Sequence, residues 1–207
     1  MQNTVENRVS YRIRGNGGGW AFSPRDFLDL GGRPTVDSAL HRLTQRGEIR
    51  RVIRGIYDYP RFSQLLGQQL SPDMDQVARA IARKFGWRIQ PGGATALNLI
   101  GISTQVPARV IYLSDGPDRR YKMGRVTLTF EHTALKEAGF KLKESGLIVQ
   151  ALKSLGPDQI TPEIISKIRE WLPAPLRAKV LADTKTATGW AYSAIQRIMQ
   201  EDTNLDG

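Results

Sequence analysis

The chain has 207 residues, 40% hydrophobic and 24% charged, the balance of a folded globular protein and not of a disordered or fibrous one. Thirty Lys+Arg against 20 Asp+Glu leave a net charge of +10, which favours a polyanionic partner held by salt-sensitive contacts. The absence of cysteine excludes disulfides, thiolate zinc sites and cysteine nucleophiles, and no stretch has the roughly 18 apolar residues of a membrane span, so a cytoplasmic protein without membrane contact is expected.

In chain order, Val5, Val9 and Ile13 recur every fourth residue and predict a first helix, closed by the glycine-rich GNGGG at 15–19. Trp20-Ala21-Phe22 reads as a short extended piece. Ser23-Pro24-Arg25-Asp26 is a helix-start signal, and the second helix is expected to carry Phe27, Leu28 and Leu30 into the core. After the Gly31-Gly32 turn a third helix begins near Pro34 or Thr35, with Val36, Ala39, Leu40 and Leu43 on one stripe and Gly47 as its stop. Ile49 and Val52 lead into a turn at Arg54-Gly55, and Ile56, Tyr57 and Tyr59 lead out, a hairpin with arginines at its tip. Three short helices and a two-stranded ribbon are the plan of a winged helix-turn-helix, whose third helix enters the major groove of DNA.

Pro60 to Pro72 reads as a linker with room for a helical turn. Ser71-Pro72-Asp73 opens another helix, with Val77, Ala78, Ile81, Ala82 and Phe85 inside and Gly86 at its end. Strands are expected over Trp87 to Ile89, Val110 to Leu113 and Val126 to Phe130, with a short helix from Ala94 to Ile100 and a turn-rich loop or hairpin at SDGPDRRYKMG. Helical periods follow through Leu147 to Leu155, Ile164 to Trp171 and Trp190 to Ile198. The expected fold is therefore α+β: an N-terminal winged helix-turn-helix at 1–60, a linker at 61–72, a mixed α/β domain with a helical C-terminal half at 73–200, and a tail at 201–207.

Residues 1 to 60 contain ten arginines and no lysine, and a guanidinium fork suits bidentate recognition of phosphate or guanine. The candidate DNA-binding residues are Ser23, then Thr35, Ser38, His41, Arg42, Gln45 and Arg46 on the polar face of the third helix, then Arg50, Arg51 and Arg54 on the hairpin. A solvated, aggregation-resistant edge is the competing account of those last arginines. Asp115, Arg119, Arg120 and Lys122 form a candidate partner surface in the second domain, although mixed charge on a turn is more often merely solvated. The glycines of PGGATALNLIG precede a helix, but they match neither the phosphate-binding loop nor G-x-G-x-x-G, and a structural turn is the stronger reading. Two isolated histidines and no familiar nucleophile or ligand spacing give no expected metal, cofactor or catalytic residue.

Two stretches, DSALHRLTQRGEIRRVIRGIYDYP and PGGATALNLIGISTQVPARVIYLSDGPDRRYKMGRVTLTFEH, resemble the AbiEi family of antitoxins from abortive-infection toxin–antitoxin systems of type IV. The resemblance implies a non-enzymatic DNA-binding antitoxin that represses its own operon at an inverted repeat of double-stranded DNA. It also implies opposition to a nucleotidyltransferase toxin without need of a stable complex. The rival readings are a winged-helix transcription factor with a ligand-sensing C-terminal domain, and an enzyme targeted to nucleic acid by its N-terminal domain.

Overall fold

The computed structural model describes residues 4–105, 108–133 and 140–200; the expected tail lies outside them. It is a mixed α and β protein that divides into two compact units, residues 1–88 and 89–207.

The first unit begins with α1 (Val5–Asn16), whose N-cap Thr4 Oγ1 accepts the Asn7 backbone N–H at 3.2 Å. Strand β1 (Ala21–Phe22) leads to a single 3-10 turn at Pro24–Phe27. The expected second helix is thus shortened: Phe27 is fully buried but Leu28 is 46% exposed, because Gly31-Gly32 ends the segment before a full apolar stripe forms. Next come α2 (Arg33–Gln45) and the hairpin of β2 (Arg50–Ile53) and β3 (Ile56–Asp58). Strands order as β1-β3-β2, all antiparallel. Val9, Ile13, Phe22, Phe27, Val36, Leu40, Leu43 and Ile49 form the core. Edge-to-face contact of Phe22 and Phe27, centroids 5.4 Å apart, helps fix the short turn against the sheet.

The expected linker is structured. Phe62–Ser63 (β4) pairs antiparallel with Gln68–Gln69 (β5), so this segment turns back on itself as a hairpin. Helix α3 (Met74–Phe85) then packs against β1, β3 and the 3-10 turn. Two hydrogen bonds tie it down: Arg83 Nη2 donates to the Ala21 carbonyl at 2.7 Å, and Arg83 Nε to the Asp26 carboxylate at 2.8 Å. The boundary expected at 61–72 therefore moves to between Arg88 and Ile89. The cap of α3 is also corrected: Asp73, not Ser71, accepts the N–H groups of Asp75 and Gln76 at 3.0 and 3.2 Å. Phe85, expected inside, is 47% exposed and stacks on Trp87 at 4.8 Å.

The second unit has a four-stranded sheet in the order β6-β7-β9-β8: β6 (Ile89–Pro91), β7 (Arg109–Ser114), β8 (Arg119–Met123) and β9 (Val126–His132). Only the β7–β9 pairing is parallel. Helix α4 (Gly93–Ile100) packs so closely on α5 (Lys143–Leu155) that a Cβ on Gly93 would lie 2.6 Å from the Ser154 Cβ. The two glycines of PGGATALNLIG serve two close approaches: Gly93 faces α5, while a Cβ on Gly92 would lie 3.2 Å from the Ile111 carbonyl oxygen of β7. Helices α6 (Pro162–Trp171), α7 (Ala174–Asp183) and α8 (Gly189–Met199) complete a core centred on Ile148, Leu152, Ile168, Val180 and Ile195. Helix α7 had no sequence signal of its own, since Val180 is its one fully buried residue. Its Asp183 carboxylate accepts the backbone N–H groups of Lys141 and Leu142, each at 3.0 Å, and so ties the residues just before α5 to the end of α7.

Candidate nucleic-acid interface

Helix α2 buries Val36, Ala39, Leu40 and Leu43, a stripe that sets the phase of the whole helix. At 3.6 residues per turn, the opposite side is centred on Pro34, Ser38, His41 and Gln45, all exposed, with Asp37 beside them. Thr35, Arg42 and Arg46 are exposed too, but lie toward one flank of that face. Ser38, His41 and Gln45 can each donate or accept a hydrogen bond, which base edges require.

The flanking arginines are already occupied. Glu6 of α1 receives hydrogen bonds from Arg42 Nε and, at 2.7 Å, from Arg46 Nη2. Arg46 Nε also donates to Glu48 at 2.7 Å, and Arg14 joins Glu48 at 3.1 Å. Arg42 and then Arg46 hold the Glu6 carboxyl below its ordinary range, and Arg46 does the same for Glu48. Both carboxylates with lowered pKa stabilise the fold fully above the ordinary glutamate value of about 4.3, and that contribution is lost as pH falls through their folded values. Melting curves should therefore show wild type more stable than Glu6→Gln near neutrality and the difference vanishing in acid. A gap that persists at pH 2 would mean that the charge pairing is not its source.

Two expected contact residues are corrected. Ser23 is fully buried, and its N–H and Oγ both donate to the Asp26 carboxylate, at 2.8 and 3.2 Å. Arg50 grips Asp58, which is 1% exposed, through Nε at 3.0 Å and Nη2 at 2.6 Å, and donates to the Leu70 carbonyl. These two side chains build the unit. Arg8 and Arg12 are likewise structural, donating to the Leu30 carbonyl and to both Asp29 oxygens. Arg51 and Arg54 remain: both are exposed, and among the described residues neither has a carboxylate partner.

Gly55 follows Arg54 with φ +75°, the left-handed conformation that lets the hairpin reverse in two residues. Lys84 of α3 reaches the same turn, its Nζ donating to the Arg54 carbonyl at 3.4 Å. Sequence reasoning missed Lys84 because it assigned α3 to the other domain.

In the second unit, Arg119, Arg120 and Lys122 belong to an edge strand paired antiparallel with β9, the hairpin of the two alternatives expected for that segment. Alternation separates them: Arg120 and Lys122, opposite Thr129 and Thr127, share a face with Arg109, whereas Arg119 lies on the other face with Tyr121. Arg109 pairs with Glu131 at 3.1 Å. Asp115 lies in the bend after β7 and is half-buried, outside that row. Among the described residues no three His, Asp or Glu side chains gather as a metal site, and no helix is long and apolar enough to cross a membrane.

A family model described as a family of unknown function (DUF6088) matches residues 8–178. The chain belongs to DUF6088. The DUF6088 match extends over residues of both compact units. No curated protein matches the sequence. Among solved structures, the RV2827C protein from Mycobacterium tuberculosis aligns over 94% of this chain and 76% of its own, with 13% identity and a TM-score of 0.39.

Proposed function

We propose that the first unit is a winged helix-turn-helix that binds duplex DNA, with α2 as recognition helix and the β2–β3 hairpin as wing. The observation that carries this reading is the outward face of α2. It is polar along its length, has groups suited to base edges at Ser38, His41 and Gln45, and precedes a hairpin whose exposed arginines have no acid partner. The order β1-β3-β2 and the Arg54-Gly55 turn suit a wing that lies along the DNA backbone. The chain then acts as a repressor at an inverted repeat near its own promoter. Titrating a labelled promoter duplex and a scrambled duplex at several salt concentrations tests this: promoter DNA should bind more tightly, and both affinities should fall linearly on a log–log salt plot. Equal affinity for the two sequences rejects an operator-binding repressor, and no binding to either at low salt rejects the DNA reading.

The antitoxin role belongs to the same proposal and is supported by the resemblance of residues 37–60 and 91–132 to AbiEi antitoxins. Growth during co-expression with a nucleotidyltransferase encoded beside it is the test. Continued killing in the presence of the folded protein removes this role.

Glu6 occupies Arg42 and Arg46 as a phosphate would. In Glu6→Gln the neutral amide releases Arg42 and frees Arg46 Nη2, while Arg46 Nε stays on Glu48, so binding to random-sequence DNA should tighten and the salt slope steepen by about one. An unchanged slope would show that neither arginine reaches DNA.

A further inference from the structure

The end of α3 brings a lysine to the tip of the wing. Lys84 Nζ donates to the Arg54 carbonyl at 3.4 Å, and the ideal Cβ position on Gly55 lies 2.9 Å from the same nitrogen. Arg25 of the 3-10 turn donates to the Lys84 carbonyl at 2.9 Å. Burial, and then the nearby charges of Arg33 and Arg54, lower the pKa of the Lys84 ammonium. Three cationic residues, from the 3-10 turn, the wing turn and the end of α3, are thus joined by hydrogen bonds.

Acid does not balance them. Asp37 pairs with Arg33 and Asp26 with Arg83, but among the described residues Arg25, Arg54 and Lys84 have no carboxylate partner. Like charges held together in a folded protein repel, and an anion placed among them turns that repulsion into attraction. Lys84 is suited to this. One of its three N–H groups is engaged by the Arg54 carbonyl and the ammonium lies 5.2 Å from the Phe85 ring centroid, contacts that hold it at the turn without a competing carboxylate.

We propose that Lys84 and Arg54 clamp one phosphate group of duplex DNA, so that α3 is a third DNA-contacting element beside the recognition helix and the wing. The clamp rests on the winged-helix reading above. It gives α3 a reason to be packed on this unit: the helix both buttresses the wing turn and carries a charge to the backbone.

The experiment uses the full chain and a fluorescein-labelled random-sequence DNA duplex, read by anisotropy over a range of salt. Lys84→Gln and Arg54→Gln should each weaken binding several-fold and flatten the log–log salt slope, by about one at most. Lys84→Arg should retain affinity. Because both side chains act on the same phosphate, the double variant should lose less than the product of the two single losses. Melting curves check each variant for folding. Should Lys84→Gln not fold, loss in Arg54→Gln with retention in Lys84→Arg supports the clamp, and an unaltered Arg54→Gln overturns it. A folded Lys84→Gln with wild-type affinity and slope overturns it, as does a double variant equal to the product of the singles. Wild-type protein that binds no duplex fails the winged-helix reading itself, an outcome distinct from the failure of Lys84 alone.

Discussion

Replacing His41 and Gln45 together by alanine is expected to lower affinity for the promoter duplex by about 100-fold while leaving affinity for random DNA nearly unchanged. The two side chains lie one helical turn apart near the centre of the exposed face of α2, on the side opposite Val36, Leu40 and Leu43. Neither is buried, so their removal opens no cavity, and alanine is favourable in a helix. Each polar contact to a base edge is worth about 1–3 kcal/mol of discrimination, so two lost contacts multiply to the expected factor. Parallel titrations of promoter and scrambled duplexes separate the outcomes. Equal loss on both duplexes would mean that the residues act on the backbone, and no loss on either would mean that another surface reads the sequence.

The stripe of α2 was legible because four apolar residues at helical spacing leave one solution for the buried face. The turn at Gly55 was legible for a similar reason, since a glycine between two short β runs marks where the chain reverses. What the sequence does not state is which core a helix joins. The start and stop of α3 follow from local residues, but its attachment depends on Arg83 finding Asp26 and the Ala21 carbonyl, more than 50 residues away. Placing the boundary before α3 separated Lys84 from the β2–β3 turn it touches.

Local signals also misjudged exposure. The helix-start sequence at Ser23 was read correctly as a start, yet the hydroxyl that makes it one is turned to Asp26 and buried. Arg50 was not recognisable as structural from the hairpin alone, because a regular ladder from the Arg54-Gly55 turn would set Arg51 opposite Asp58, and the irregularity between Arg51 and Ile53 is what brings Arg50 there. Arg51 and Arg54 lack such a partner. Counting arginines therefore overstated the charge available for DNA: Arg8, Arg12, Arg14, Arg42, Arg46 and Arg50 are committed to groups within their own unit. The surface left over is small and localised at the α2 face and the wing turn, which gives it the geometry of a site instead of a diffuse basic shell.

Gly55→Val should cause the largest loss of backbone-driven binding. Valine at φ +75° is strained by about 1–3 kcal/mol, and its Cβ would fall 2.9 Å from Lys84 Nζ. The lysine end is flexible and can withdraw, so the unit should fold with unchanged helix content and a modestly lowered melting temperature. The turn, however, must relax, which displaces Arg51 and Arg54 and breaks the Lys84 contact to the Arg54 carbonyl. Loss of these phosphate contacts should flatten the salt slope by roughly two and weaken binding to every sequence alike. Gly55→Asn separates the two causes, because asparagine tolerates positive φ but carries a Cβ. Recovery with asparagine assigns the effect to backbone strain, and equal loss assigns it to the collision with Lys84. If Gly55→Val binds DNA as wild type does, the hairpin takes no part in contact and the recognition helix must work without a wing.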